Sequence, residues 1–296
     1  MTGQVGLVVH PRRDIGPALS TVLEWATRHE IGVGQVRIAG QTRQIAEPVD
    51  VADCELVMAL GGDGTALAAL HAAAPVSRPV LGIACGSIGV LTSVHAKELD
   101  WALERIAADD WTPQPLPGLG VTVAGEEIAV AINDAAVVRN GTGQVIVEIT
   151  VNDELYARTA GDGLIVATPL GSSAYTMAAG GPIVLPQADA VVLTPLAAHG
   201  GEIPPLVAGR DSRIGLLIHS GYGGSRLEVD GQEVATQALE ATVTFRDGYA
   251  TAVTLAGQES MLAGLRRRGL VLDSPRVLVR DKRKAHLHEL EEDHLS

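Results

Sequence analysis

Aromatic residues make up only 3% of this 296-residue chain, and Phe occurs once. The core must therefore be built from Ala, Val, Leu and Ile. A hydrophobic content of 46% supplies enough of them to exclude a wholly disordered chain. Cysteine is nearly absent. Cys54 and Cys85 alone cannot make a disulfide scaffold or a four-thiolate zinc site, and both read as small inert residues. Positive charge is short as well. A formal net charge of -13 makes the chain a poor general binder of nucleic acid or of an anionic membrane. No basic-then-apolar leader opens the sequence, and no apolar run is long enough to span a bilayer, so the expectation is a soluble, cytoplasmic protein. Glycine, by contrast, is abundant. Its 34 residues fall in clusters without a fixed period, which excludes collagen and marks turns set by the backbone.

The first hundred residues alternate strand and helix signals. Strand-like runs occupy Val5–His10, Gly34–Ala39, Leu56–Leu60 and Val80–Ala84, and helical spacing occupies Pro17–His29, Ala66–Ala74 and Glu98–Ala108. Continuous apolar strands between helices predict a parallel sheet buried on both faces. The pattern changes near Trp111. Residues 113–118, with three prolines and a glycine, read as a linker. Short strand signals follow at 119–124, 127–138, 144–151, 163–168, 214–219, 225–229, 241–245 and 251–255, with one clear helical stretch at Ser173–Ala179. The expected organisation is an α/β nucleotide-binding domain over 1–112, a β-rich domain over 113–275 and a charged tail over 276–296. His286, His288 and His294 in that tail read as solvated rather than as metal ligands.

Chemistry concentrates in a few clusters. Gly61-Gly62-Asp63-Gly64-Thr65 follows a buried strand and precedes a helix, where glycine amides and the helix N-terminus favour phosphate. Asp63 would repel a phosphate unless it serves as a base or acts through a metal; the bland alternative is a helix-capping turn. The chain lacks the P-loop pattern and the Gly-x-Gly-x-x-Gly of an ordinary dinucleotide fold. A second glycine loop spans 82–92 and includes Gly86. Asn133-Asp134 interrupts an apolar strand. Asp162-Gly163-Leu164 leads to Thr168-Pro169-Leu170-Gly171-Ser172-Ser173-Ala174-Tyr175, with Gly180-Gly181-Pro182 beyond and Asp230-Gly231-Gln232 later.

In that order these motifs closely resemble the NAD kinase family, from about Leu56 to about Gln232. The Gly-Gly-Asp-Gly-Thr element is shared with other lipid and sugar kinases of the wider superfamily; the 168–175 block is much more specific. The resemblance implies an α/β domain and a β-rich domain with the active site in the crevice between them. It implies transfer of the γ-phosphoryl group of ATP to the 2′-hydroxyl of the adenosine ribose of NAD, with Asp63 as the base. Gly61, Gly62, Gly64, Thr65 and Gly86 would bind the donor phosphates. Asp63, Gly64, Asn133, Asp134, Asp162, Ser173, Ala174, Tyr175, Ala178 and Gln232 would line the NAD site. It further implies Mg2+ arriving with the nucleotide, no tightly held metal, and a homodimer or homotetramer.

The chain departs from the family pattern in places. Ala84 stands where Asn is usual, Ser87 where a larger polar or basic residue is common, Val90 where an aromatic is usual, Ser173 in place of Thr, and Ala178 in place of a hydroxyl residue. Smaller walls around a base would follow at 84, 87 and 90. Two alternatives therefore stay open: a superfamily kinase acting on another hydroxyl, or a non-catalytic binder of NAD or ATP. Retention of Asp63 argues against the second.

Overall fold

The apolar run at Cys54–Gly61 forms the central strand of a parallel sheet, and every residue from Leu56 onward in it is buried. The protein is described from a computed structural model covering residues 3–87 and 89–280. Its N-terminal part runs β1 (Gln4–Val9), α1 (Gly16–Arg28), β2 (Gly32–Val36), β3 (Pro48–Val49), β4 (Cys54–Gly61), α2 (Asp63–Ala73), β5 (Pro79–Ala84), β6 (Val94–His95) and α3 (Leu99–Ala107). All pairings among these strands are parallel. Strand alternation sends Val5, Leu7 and Val9 to the side where α1 and α3 pack through Trp25 and Leu103. It sends Val8, Val57 and Ala59 to the side covered by Ala66, Ala69 and Leu70 of α2.

The rest of this unit is β7 (Thr112–Val123), β8 (Glu126–Ala131), β9 (Asp134–Arg139), β10 (Val145–Val151), β11 (Glu154–Gly161), β12 (Gly163–Ala167), α4 (Tyr175–Ala178), β13 (Ala190–Leu196), β14 (Leu206–Gly209), β15 (Arg213–Ser220), β16 (Ser225–Val229), β17 (Gln232–Thr236) and β18 (Glu240–Thr254). A six-stranded antiparallel sheet in the order β14-β13-β12-β9-β16-β17 stacks on β7, β10, β15 and β18 through Leu164, Val166, Val147 and Leu216. The strand β18 joins the two parts. Its first half pairs antiparallel with β15, and near its end Thr251 and Ala252 pair parallel with β5.

Several expectations change here. The proline-rich segment 113–118 is not a linker but the first half of β7, paired with β18. Its prolines fall at every second position, so their missing N–H groups share one edge, and β8 pairs with β7 only from Leu119 onward. The single strand expected over 127–138 is two strands in different sheets, broken at Ile132-Asn133. The signals at 241–245 and 251–255 are one long strand, β18, with an irregularity between Arg246 and Ala250. The helix expected at Ser173–Ala179 is a 3-10 turn over Gly171–Ser173 followed by the four-residue α4. The strands β11, β13, β14 and β17 carried no signal that the pattern reading caught.

Among the described residues, 259–280 form a second unit. It contains α5 (Met261–Arg267), capped by Ser260, whose Oγ accepts from the Ala263 amide, and braced by ion pairs Arg266–Asp273 and Arg267–Glu259. Residues 275–280 are helical. The tail histidines lie outside the described residues. Among the described residues no helix is long and apolar enough to cross a membrane.

Candidate active site

The helix α2 begins at Asp63, three residues earlier than its periodicity predicts, with Gly62 extended as its N-cap. Asp63 therefore sits in the first helical turn, at the carboxyl end of β4. Its carboxylate reaches across to the second glycine loop. Oδ2 accepts from the Val90 amide at 2.8 Å, while Oδ1 accepts from the amides of Leu91 at 3.0 Å and Thr92 at 3.1 Å and from the Thr92 hydroxyl at 3.1 Å. With three donors Oδ1 is saturated; Oδ2, with one, keeps lone-pair capacity. Gly89 is dictated by this contact, because a Cβ there would collide with the Asp63 carboxylate. Gly61 is dictated by the buried Thr65, whose hydroxyl and Cβ occupy the space a side chain at 61 would need. Gly64 is exposed and faces open space.

A cleft of about 360 Å³ opens beside this turn, lined by His10, Arg13, Gly62, Asp63, Gly64, Thr65 and Ala68 among others. Arg13 carried no signal in sequence. The His10 ring Nδ1 accepts from the Arg12 and Arg13 amides, and Arg43 donates to the Arg13 carbonyl, so the 10–13 turn is braced from both sides. Its guanidinium lies beside both glycine loops: a Cβ on Gly86 would be 2.7 Å from Nη1, and one on Gly62 3.4 Å. Among the described residues that guanidinium makes no hydrogen bond or ion pair.

The second half of the site is the corner where the chain leaves β8 and enters β9. The Asp230 carboxylate, 4% exposed, accepts from the amides of Ile132 at 2.8 Å, Asn133 at 2.7 Å and Asp134 at 3.1 Å. Thr168 clasps the corner from the other side. Its hydroxyl donates to the Ile132 carbonyl at 2.7 Å and accepts from the Gly171 amide, and its own amide donates to the Asn133 carbonyl. Gly171 packs so close to the Asn133 backbone that no side chain fits. The specific 168–175 block thus holds the Asn133-Asp134 pair in place. The signal for Asp230 was present in Asp-Gly-Gln, but as a hairpin turn and not as a buried acceptor of three amides.

Beyond the corner, the face of the six-stranded sheet that buries Ala136, Ile165, Ala167 and Val192 also carries acidic side chains. The register puts Asp134 level with Ala167, and Glu228 level with Ala136, on a shared face. Asp134 is 6% exposed; burial, with Asp230 and Glu228 nearby, pushes its carboxyl up to about 7. Its side chain has no hydrogen-bond partner among the described residues. Tyr175 lies half out of the surface, its hydroxyl pushed up by burial and by Glu228 and Asp134. Asp162 pairs with Arg139 at 2.5 Å, and Ser173 donates to the Leu170 carbonyl at 3.0 Å. Ala174 is half-buried, and Ala178 and Gln232 are exposed. No hydrogen bond joins Asp63 to Asn133 or Asp134 among the described residues; Ala66, Ala69 and Leu70 of α2 share an apolar cluster with Ile132 and Leu170. Ala84 is fully buried at the end of β5, so it does not form a wall of an open pocket. The Val90 side chain packs on the same cluster as Ile132 and Leu170. Burial pushes the Cys54 thiol up to about 11 and the Cys85 thiol up as well, so neither is activated.

Residues 5–111 match the ATP-NAD kinase N-terminal domain and residues 132–256 the ATP-NAD kinase C-terminal domain. The chain is 41% identical over 168 residues to an NAD kinase of Nocardia farcinica, a match covering 54% of this chain and 51% of that protein, about half its length. It is 34% identical over 239 residues to an NAD kinase of Chloroflexus aurantiacus, covering 79% and 85%. An NAD kinase of Heliobacterium modesticaldum is 34% identical over 218 residues, covering 71% and 77%. The fold matches a yeast NADH kinase complexed with NADH at a TM-score of 0.76, with 22% identity over 92% of this chain and 89% of that one. It also matches an NAD kinase from Archaeoglobus fulgidus in complex with ATP at 0.71, with 22% identity over 90% and 97%.

Proposed function

The chain belongs to the NAD kinase family, and on that premise we propose that it transfers the γ-phosphoryl group of ATP to the 2′-hydroxyl of the adenosine ribose of NAD, giving NADP. The observation that carries the residue roles is the setting of Asp63. Its carboxylate lies at a helix N-terminus, beside a glycine-lined cleft, with one oxygen saturated by the protein and the other able to accept one more proton donor. Phosphoryl transfer needs alignment and charge neutralisation more than covalent help. In this reading Asp63 Oδ2 accepts the proton of the attacking hydroxyl. The amides at Gly62 and Gly64, in the turn that Thr65 closes through its amide to the Gly62 carbonyl, meet the donor phosphates at the positive end of α2. Arg13 lines the same cleft, and Gly86 lies against its guanidinium.

The acceptor is held on the Asn133-Asp134 corner and the neighbouring face with Tyr175, Asp162, Ser173, Ala174, Ala178 and Gln232. Among the described residues no cluster of three His, Cys, Asp or Glu side chains could hold a metal by itself. In this reading the free capacity of Asp63 Oδ2 is committed to the acceptor hydroxyl, and Asp230 is engaged by protein donors, which leaves Asp134 as the carboxylate that would join the shell of a Mg2+ carried in by the triphosphate. When bound, that ion neutralises phosphate charge. We propose, further, that the enzyme acts in the cytoplasm as a homodimer or homotetramer, a reading supported by the family resemblance alone. Incubating the purified protein with ATP, Mg2+ and NAD and measuring NADP tests the activity. A panel of NADH, nucleosides and sugars tests the acceptor. ATP consumption with one of those and none with NAD would overturn the reading.

A further inference from the structure

The helix that starts with the base also carries His71, two turns further on, about 12 Å along the axis at 1.5 Å per residue. His71 Nε2 lies 2.6 Å from Asp230 Oδ2. A carboxylate only accepts, so Nε2 carries the hydrogen and donates. The same carboxylate, through its other contacts, holds the amides of Ile132, Asn133 and Asp134. Asp230 is itself anchored by its amide, which donates to the Asp134 carbonyl at 2.9 Å. One buried carboxylate thus joins the base-bearing helix to the corner that presents the acceptor-binding pair. The His71 ring also meets Tyr249 of β18 edge-on at 6.2 Å, which keeps it turned toward Asp230.

We propose that His71 is a positioning residue: through Asp230 it sets the distance between Asp63 and the Asn133-Asp134 corner, and so aligns the NAD hydroxyl with the base. The inference rests on the phosphotransfer reading above. The Gly62 and Gly64 amides and Arg13 do not depend on it, because they lie at the other end of α2. The strut therefore acts on the acceptor and on alignment, and not on donor affinity. A misplacement of about 1 Å at a reacting centre costs roughly 100-fold.

The test compares H71L, H71Q and H71N. Glutamine can still reach Asp230 with an N–H, and asparagine, one methylene shorter, cannot. For H71L and H71N we expect kcat/KM for NAD to fall roughly 10- to 100-fold, with the KM for ATP within about twofold of wild type. H71Q should recover most of the loss. In parallel, hydrogen exchange at the Ile132, Asn133 and Asp134 amides should accelerate in H71L and H71N and stay near wild type in H71Q. If H71L does not fold, the Gln/Asn pair carries the comparison. Unchanged exchange at these amides with unchanged kcat/KM would overturn the proposal. So would equal losses in H71Q and H71N, or a parallel rise in the KM for ATP. If wild type makes no NADP, the activity reading fails by itself, and the exchange measurement still decides whether the strut exists.

Discussion

Asp63 and Asp134 are both acidic residues at the site, and their surroundings separate them. Asp63 is surrounded by donors, whereas Asp134 is buried near Asp230 and Glu228 without a donor. In Asp63→Asn the amide oxygen can still accept from Leu91 and Thr92, while its NH2 faces the Val90 amide; the variant should fold with some loss of stability and still bind ATP, while kcat falls roughly 10²- to 10⁴-fold. Near wild-type turnover with an unchanged pH profile would show that another group is the base. For Asp134 the sign follows from its raised value. Between the unfolded value of 3.8 and the folded value of about 7 the folded state holds the extra proton. Stability therefore falls as pH rises through that window and stays reduced above it, by up to about 4 kcal/mol. Asp134→Asn should raise Tm at pH 8 and leave it nearly unchanged at pH 4, while weakening NAD binding measured by calorimetry. A Tm gain of equal size at both pH values would contradict this. Arg13→Ala should raise the KM for ATP about tenfold, the order expected for loss of hydrogen bonds to a charged group, with the KM for NAD little changed and partial recovery in Arg13→Lys. The Gly-Gly-Asp-Gly-Thr pattern made Asp63 legible in sequence. Arg13 was not, because an exposed arginine in a turn has no periodicity or motif to mark it.

At the scale of elements, the break between β8 and β9 is the feature on which the site depends. A polar pair in an apolar run announced that something happens there, and the structure makes it the crossing from one sheet to the other. The amides and carbonyls freed at such a crossing must find partners. Asp230 takes the amides, and Thr168 takes the carbonyls of Ile132 and Asn133. Thr168→Val keeps the shape but leaves the buried Ile132 carbonyl and Gly171 amide without that hydroxyl. It should cost about 1–3 kcal/mol, read as a fall in the denaturation midpoint, with a larger proportional loss of kcat/KM for NAD than of ATP binding. A denaturation midpoint equal to wild type would mean that water replaces the hydroxyl. The same scale explains the misread linker: prolines at every second position of β7 are turn signals in sequence and are tolerated on an unpaired edge only after the sheet has formed.

For the whole molecule, activity should vanish with a chelator and return with Mg2+ or Mn2+, and the purified protein should hold no stoichiometric zinc. Activity that persists in excess chelator would remove the metal from the account. The sequence by itself determined the parallel sheet, because runs such as Leu56–Leu60 are apolar on both faces and only burial between helices satisfies that. It also marked Asp63 and the Gly61–Thr65 turn as the proposed base and phosphate site, whose residues are contiguous and whose backbone demands are local. The tertiary structure alone decided the rest. It brought β18 back against β5, set Arg13 between two glycine loops, and joined His71 to Asp230 across 159 positions. These contacts depend on sheet stacking and strand crossing. A reading based on local periodicity carries no term for groups so far apart in the chain.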